Sequence, residues 1–492
     1  MGLLRSHQLA DVGEGSQTMT DRVRPYQYYD ATTSICATCH DRVDAKVVFE
    51  GGRVLLHKRC PEHGAERVLI ADDVDYYLRA RNDFLKPSEM PVRFNTPVRF
   101  GCPYDCGLCA DHEQHSCLTL VEICDACNLS CPVCYASSGP HRPEFRSVEH
   151  VERMLDLVCD NEGEPDVVQI SGGEPTEHPE LIRILKLAKE RPIRHLMLNT
   201  NGVRIARDKQ LCDELADLAP GFEIYLQFDS LCEEPQRNLR GADLLETKLA
   251  ALDSLRERNI STTLVVTLKR GLNDSECGEL IEFALQQPHV RGITFQPIQD
   301  AGRNEDFDAG RDRLTLTEVR RNILEQSDLF TPDDLIPVPC HPDALCMAYA
   351  LKLANEAIPL TRHIDAEVLK SGGRNTIAFE RDDALRERVF DLFSTAHSPD
   401  SATTSLKDLL CCIPRAEVPR GLGYENLFRV IILEFLDAHS FDVRSVRKSC
   451  VHIVHPDAKR IIPFDTYNLF YRDELERTRL AALRAKREPR PS

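Results

Sequence analysis

CNLSCPVCY, residues 127–135, sets three cysteines at C-x3-C-x2-C spacing and ends on an aromatic ring. Three thiolates this close together suit one metal centre. A cubane iron-sulfur cluster has four irons, and an electron-transfer site supplies a thiolate to each. Cys127, Cys131 and Cys134 therefore leave one iron without a protein ligand. An open iron can chelate a small ligand through adjacent amine and carboxylate groups, as a catalytic metal keeps a vacant position for its substrate.

A regular alternation surrounds the motif. LTLVEIC (118–124) reads as a buried strand, 146–160 as a helix and 166–171 as the next strand. Helix 180–190, strand 194–199, helix 205–218, strand 222–229, helix 242–258, strand 260–268, helix 276–286 and strand 292–297 continue the series. Six strands alternating with five helices imply parallel pairing through right-handed crossovers, in a partial barrel or an open sheet. In such sheets chemistry gathers where strands deliver their carboxyl ends. Cys127 to Cys134 follow strand one, SGGEPT (171–176) strand two and NTNG (199–202) strand three, and Gln227 and Asp229 close strand four.

The chain has 492 residues, 42% of them hydrophobic, enough for two or three domains. A net charge of −18 argues against a nucleic-acid partner. No apolar run approaches the roughly 20 residues of a membrane-spanning helix, and the start does not read as a secretory signal. A cytoplasmic location follows as the expectation, and 20 cysteines there point to metal rather than to disulfides.

Residues 1–25 are polar and patternless and are expected to be mobile. Within 26–95, CATCH (36–40) and RCPEHG (59–64) flank an alternating hairpin pattern. Cys36, Cys39, Cys60 and His63 are the expected donors for zinc or a single iron, with His40 as the alternative fourth. GCPYDCGLC (101–109), in the segment 96–117, repeats the C-x3-C-x2-C spacing, so Cys102, Cys106, Cys109 and Cys117 read as a closed cluster or a tetrathiolate zinc site. The barrel is expected over 118–311. Residues 312–492 read as a separate, mostly helical, metal-binding domain, where Cys340, Cys346, Cys450 and one of Cys411 or Cys412, with Cys412 preferred, form a possible third cluster. YENLFRVIILEFLDAHSF (424–441) reads as an apolar helix, and the basic tail 477–490 as a solvated helix end or a contact for anionic headgroups.

The cysteine triplet after strand one, followed by Gly172-Gly173-Glu174-Pro175 after strand two, resembles the radical S-adenosylmethionine (SAM) superfamily. That resemblance implies a partial (β/α)6 barrel, a 4Fe-4S cluster on Cys127, Cys131 and Cys134, and SAM cleavage to a 5′-deoxyadenosyl radical that takes hydrogen from an unactivated carbon. It places Tyr135 near adenine and the Gly172–Pro175 turn at the methionine amino group, where a backbone must come close. Asn199, Gln227, Asp229 and Thr267 become candidates for the carboxylate and ribose. Over nearly the whole chain the order of elements further resembles the tetraether lipid synthase group, some members of which carry the name dihydropterin methyltransferase. The matching pieces are the Cys36–His63 ribbon, GCPYDCGLC with Cys117, CNLSCPVCY, SGGEPT, FQPIQDAGR (295–303), CHPD (340–343) and RIIPFDTYN (460–468). This second likeness implies one or two auxiliary 4Fe-4S clusters, a mononuclear metal and C–C bond formation between lipid chains, with a ferredoxin- or flavodoxin-type reductant and possible peripheral membrane contact. Radical methylation of a pterin is the competing expectation, and a non-catalytic iron-sulfur scaffold or electron carrier the third.

Overall fold

The computed structural model describes residues 24–353, 356–363 and 426–488. Residues 1–23, Cys411 and Cys412 lie outside the described residues. Gly51 and Gly52 turn the chain with φ of +58° and +76°, the backbone of a two-residue hairpin loop. They join β2 (Arg42–Glu50) to β3 (Arg53–Cys60), as the alternation predicts, and β1 (Gln27–Ile35) and β4 (Gly64–Ala71) complete an antiparallel sheet of four strands. Helix α1 (Val74–Asn82) follows, its first turn capped by the Asp73 carboxylate, which accepts from Tyr76 N.

The expected alternation is present. β5 (Leu118–Glu122), α2 (Val148–Glu162), β6 (Val167–Ser171), α3 (Leu181–Lys189), β7 (His195–Thr200), α4 (Lys209–Ala216) and β8 (Phe222–Gln227) lead to an unexpected α5 (Glu233–Arg240). α6 (Leu245–Glu257), β9 (Thr262–Leu268), α7 (Cys277–Gln286), β10 (Val290–Pro297) and α8 (Leu316–Gln326) continue the series. β5 to β10 pair in parallel, each with its sequence neighbour. Their outward apolar residues, such as Ile170, Leu198, Leu226 and Val266, meet the helices in one core. α5 escaped the pattern because EEPQRNLR buries only Pro235 and Leu239 among apolar residues.

The residues after 312 depart from the expectation. β11 (Ile336–Pro337), β12 (Leu345–Lys352), β13 (Ala357–Pro359) and β14 (Leu427–Leu433) are strands, and β14 runs parallel to β10 and antiparallel to β12. LFRVIIL is therefore strand, not helix. Six apolar residues in seven, interrupted only by Arg429, suit a doubly covered strand as well as a helix, and the β-branched Val430, Ile431 and Ile432 favour the strand. At the opposite edge β15 (Val451–Val454) runs parallel to β5 and carries β16 (Ile461–Pro463). Among the described residues this segment is neither mostly helical nor separate, for it extends the barrel sheet at both edges to twelve strands. An open barrel has two edges with unpaired backbone, and the C-terminal segment covers both. The basic tail is also held down: Arg484 reaches Asp105, and Lys486 and Arg487 reach Asp41. No helix among the described residues is long and apolar enough to cross a membrane.

Inside the barrel, Val167, Met197, Tyr225 and Val265 form one layer. Beneath it the buried Glu223 meets Arg429 of β14 at 2.8 Å and His195 at 3.1 Å. Burial alone would raise the Glu223 carboxyl, but Arg429 and His195 outweigh it and hold it well below the usual range. This layer and ion group form the floor under the site.

Asp465 behaves in the opposite way. Its Oδ1 accepts from Leu436 N at 2.5 Å, and burial, helped by nearby Asp437, pushes its carboxyl up to about 7. The folded chain keeps a proton that the unfolded chain, with an ordinary carboxyl, releases near pH 4, so stability falls as pH rises from there through about 7. Between pH 5.5 and 7 this single group costs about 2 kcal/mol at ~1.4 kcal/mol per unit. Denaturant titrations at pH 5.5 and 7.5 should show that loss in the native chain and a flattened profile for Asp465→Asn.

Candidate active site

The stretch that leaves β5 is pinned to the stretch that leaves β6. Gly173 N donates to Cys124 O and Glu174 N to Ala126 O, both at 2.8 Å. A Cβ on Gly173 would stand 2.2 Å from Ala126 O, and one on Gly172, at φ +148°, 2.5 Å from Cys124 O. The glycine pair thus lets the end of β6 press on the chain just before Cys127. The buried Glu174 carboxylate accepts from Thr176 N, Thr200 Oγ1 and Asn201 N, tying this turn to the end of β7. Pro175 opens a short 3-10 turn and lies off the cavity. Gly173→Ala should displace the cysteine loop by a sizeable fraction of an ångström and lower 5′-deoxyadenosine production from SAM by about 100-fold. Chromatographic assay of anaerobically reconstituted protein checks this.

Arg303 clasps the cysteine loop from the far side. Its Nε donates to Cys131 O at 2.6 Å, its Nη2 to Ser138 O at 2.9 Å, and its backbone pairs with that of Cys134 in both directions at 2.9 Å. Leu129 N donates to Cys127 Sγ at 3.5 Å. Burial pushes the Cys127 thiol up to about 12 and raises Cys131 as well, so a bound metal is what would hold these groups as thiolates. Cys127, Cys131 and Cys134 do not all fall within 4.8 Å of one another, and that wider spacing is what a cluster with one iron per thiolate needs.

Cys134 borders a cavity in the barrel mouth. Tyr135, Gly172, Gly173, Glu174, Asn199, Gln227 and Thr267, all expected at the site, line it. Asp229 does not. It is fully buried and holds Arg240 through two 2.7 Å contacts, and it is Arg240 that lines the cavity, donating also to Thr267 Oγ1 at 2.8 Å. The error has a physical cause: a carboxylate at a strand end looks like a ligand-facing group until a guanidinium from a helix covers it. Arg240 sits on α5, the helix that the apolar pattern did not reveal. Its guanidinium, close to Cys131 and Cys134, is suited to a ligand carboxylate.

Tyr135 is held by groups that sequence reading also missed. Its ring meets Phe464 edge-on at 5.0 Å and lies 5.3 Å from the guanidinium of Arg472. Arg472, buried, pairs with Glu122 at the end of β5 at 2.8 Å. Phe435 stacks on Phe464 at 4.0 Å, and both, with Leu118, Leu120, Leu433 and Val451, form an apolar wall of the cavity. Gln169, Tyr225, Gln296 and Gln299 supply polar groups below. Gln296 donates to Tyr225 Oη at 3.1 Å, and Gln299 Oε1 is buried with no protein partner.

Outside the cavity the cysteines sort differently from the expectation. Cys36, Cys39, Cys60 and His63 come together, with Cys39 and Cys60 sulfurs 3.8 Å apart and His63 Nδ1 3.5 and 3.4 Å from Cys36 and Cys60. His40, the alternative donor, turns its ring to Phe470 instead. Cys102 and Cys106 are neighbours with Cys109 near them, and Thr466 Oγ1 donates to Cys106 Sγ at 3.0 Å. Cys117 is not their fourth ligand, for it groups with Cys340 and Cys450. Cys346 is not part of that group either. It lies on β12 against Tyr76, where burial pushes its thiol up to about 11.

A three-thiolate loop that opens into the mouth of a parallel barrel is the arrangement of iron-sulfur enzymes that bind SAM and cut it to a radical. The chain belongs to the radical SAM superfamily and uses its 4Fe-4S cluster and SAM. Residues 121–284 match the Radical SAM superfamily model, and residues 28–72 match the HMPTM N-terminal zinc ribbon domain. The chain is 30% identical to the 7,8-dihydro-6-hydroxymethylpterin dimethyltransferase of Methanocaldococcus jannaschii, over 90% of its own length and 94% of the relative's. It is 27% identical to a GTP 3',8-cyclase of Syntrophomonas wolfei, over 64% of its length and 96% of the cyclase. Streptococcus suis SuiB bound to S-adenosylmethionine is similar at a TM-score of 0.36 and 17% identity, over 42% of this chain and 46% of SuiB.

Proposed function

We propose that the enzyme takes one hydrogen from an unactivated sp3 carbon on each of two lipid chains, at the expense of one SAM and one electron from the reductant per hydrogen, and joins the two carbons in a new C–C bond. The bound cluster and SAM supply the deoxyadenosyl radical; the chain's own residues place it. Arg240 would take the methionine carboxylate, backbone oxygens of the Gly172–Glu174 turn the amino group, and Tyr135 the adenine, with Asn199, Gln227 and Thr267 on the ribose side. The observation that carries the lipid reading is the apolar wall Leu118, Leu120, Leu433, Phe435, Val451 and Phe464, which borders the space beside Tyr135. An alkyl chain against that wall leaves water favourably and needs no hydrogen bonds.

A second reading, radical methylation of a reduced pterin, rests on two observations. The Methanocaldococcus jannaschii relative carries the name of a pterin dimethyltransferase, and Gln299 Oε1 is a buried acceptor without a protein partner, suited to an N–H on a heterocycle. Incubation of the reduced, reconstituted enzyme with SAM and perdeuterated alkyl-chain phospholipid, or with a deuterated dihydropterin, separates the two. The lipid reading expects deuterium in 5′-deoxyadenosine and a coupled lipid in the first mixture. Deuterium transfer or methylation with the pterin alone would overturn it.

A further inference from the structure

The three buried cysteines that close the barrel edge have the wrong spacing for a cubane. A cubane gives each thiolate its own iron and holds the sulfurs about 6 Å apart. A single tetrahedral ion, with metal–sulfur bonds of about 2.3 Å and metal–nitrogen bonds of about 2.0 Å, holds its donors about 3.5–3.8 Å apart. In the ribbon the donor separations are 3.4, 3.5 and 3.8 Å. At the barrel edge the Cys340 and Cys450 sulfurs are 3.6 Å apart, and Cys117, Cys340 and Cys450 all lie within 4.8 Å of one another. The Cys102 and Cys106 thiols also touch, but neither the set at 102–109 nor that at 127–134 brings three sulfurs within 4.8 Å of one another.

A fourth donor stands next to the trio. His115, buried, presents Nε2 3.5 Å from Cys117 Sγ, with Glu89 its other neighbour at 3.4 Å. Its Nδ1 lies 3.0 Å from the buried Glu162 carboxylate, the second contact that commonly orients a metal-binding imidazole. We infer that Cys117, Cys340 and Cys450 hold one divalent ion of the zinc or ferrous class, with His115 turning from Glu89 to complete the tetrahedron. The auxiliary 4Fe-4S cluster that the family likeness implies does not fit these three residues.

The three cysteines come from separate parts of the chain. Cys117 immediately precedes β5, Cys340 lies between β11 and β12, and Cys450 immediately precedes β15. One ion on all three fastens the C-terminal segment to the first barrel strand, and this role is independent of which substrate the cavity takes. Ligand sets assembled from distant segments contribute folding energy because the unfolded chain cannot form them.

Metal and sulfide analysis of the anaerobically reconstituted full chain tests the inference. Cys340→Ala should lose about one metal ion per chain and no sulfide, whereas a cubane there would take about four irons and four sulfides with it. The second result overturns the proposal. If the variant does not fold, the sulfide content of the native chain decides: about four per chain supports a mononuclear site and about twelve refutes it, while about eight is resolved by Cys106→Ala, where a fall to about four supports the site and an unchanged eight refutes it. In cobalt-substituted protein, His115→Ala should shift the ligand-field bands assigned to this site, and an unchanged spectrum removes His115 from the ligand set.

Discussion

If Cys127, Cys131 and Cys134 hold the cluster, Cys131→Ala is expected to abolish 5′-deoxyadenosine formation from SAM, a loss of more than about a thousandfold, because every later event depends on that metal. The fold should survive. Cys131 lies in a loop rather than in the barrel core, and the loop keeps its backbone anchors, since Arg303 binds the Cys131 carbonyl and the Cys134 backbone and not the thiol. Reconstituted variant and native protein would be compared by deoxyadenosine assay, by iron and sulfide content and by thermal unfolding. The reading expects activity and about four irons to be lost together. Retained cleavage of SAM by the variant would mean that the triplet is not the catalytic centre, and the case for radical chemistry at this cavity would fail with it.

Arg240→Ala is expected to have the second-largest effect, divided between binding and stability. The Arg240–Asp229 pair is buried at both ends, with two 2.7 Å contacts. Removing one partner of such a pair leaves a charge without compensation and typically costs about 3–5 kcal/mol. If Arg240 also takes the SAM carboxylate, SAM affinity should fall by about 100-fold, read by equilibrium dialysis on reconstituted protein. Asp229→Asn separates the two roles. It removes the buried negative charge but keeps the shape, so it should lower stability while leaving a guanidinium in the cavity and costing less SAM affinity than Arg240→Ala. Equal affinity losses for both variants, matched to their stability losses, would assign Arg240 to a purely architectural role.

Much of this was legible in the residues, and the limits have a pattern. The six parallel strands and five of the crossover helices follow from apolar periodicity because each element buries a face that its own residues define. The hairpin of the ribbon follows from two glycines where only a positive φ fits. Periodicity fails where one face is not apolar, as in EEPQRNLR, and where both faces are, as in LFRVIIL, which reads equally as helix or strand. The first failure hid Arg240, and the second hid a strand that supplies both Arg429 to the barrel floor and Leu433 to the cavity wall.

The residues by themselves determined the cysteine loop, the glycine turn that presses on it, the order of strands and helices and the donors of the ribbon. Each depends on positions a few residues apart or on one repeating pattern, and local covalent geometry leaves few ways to arrange them. Only the tertiary structure decided that Cys117 joins Cys340 and Cys450 rather than the nearer Cys109, that Arg240 faces the cavity in place of Asp229, and that the C-terminal segment covers both barrel edges. Those choices close loops of tens to hundreds of residues. The entropy of closing such loops varies only slowly with length, so spacing along the chain does not favour one partner over another, and packing in three dimensions makes the selection.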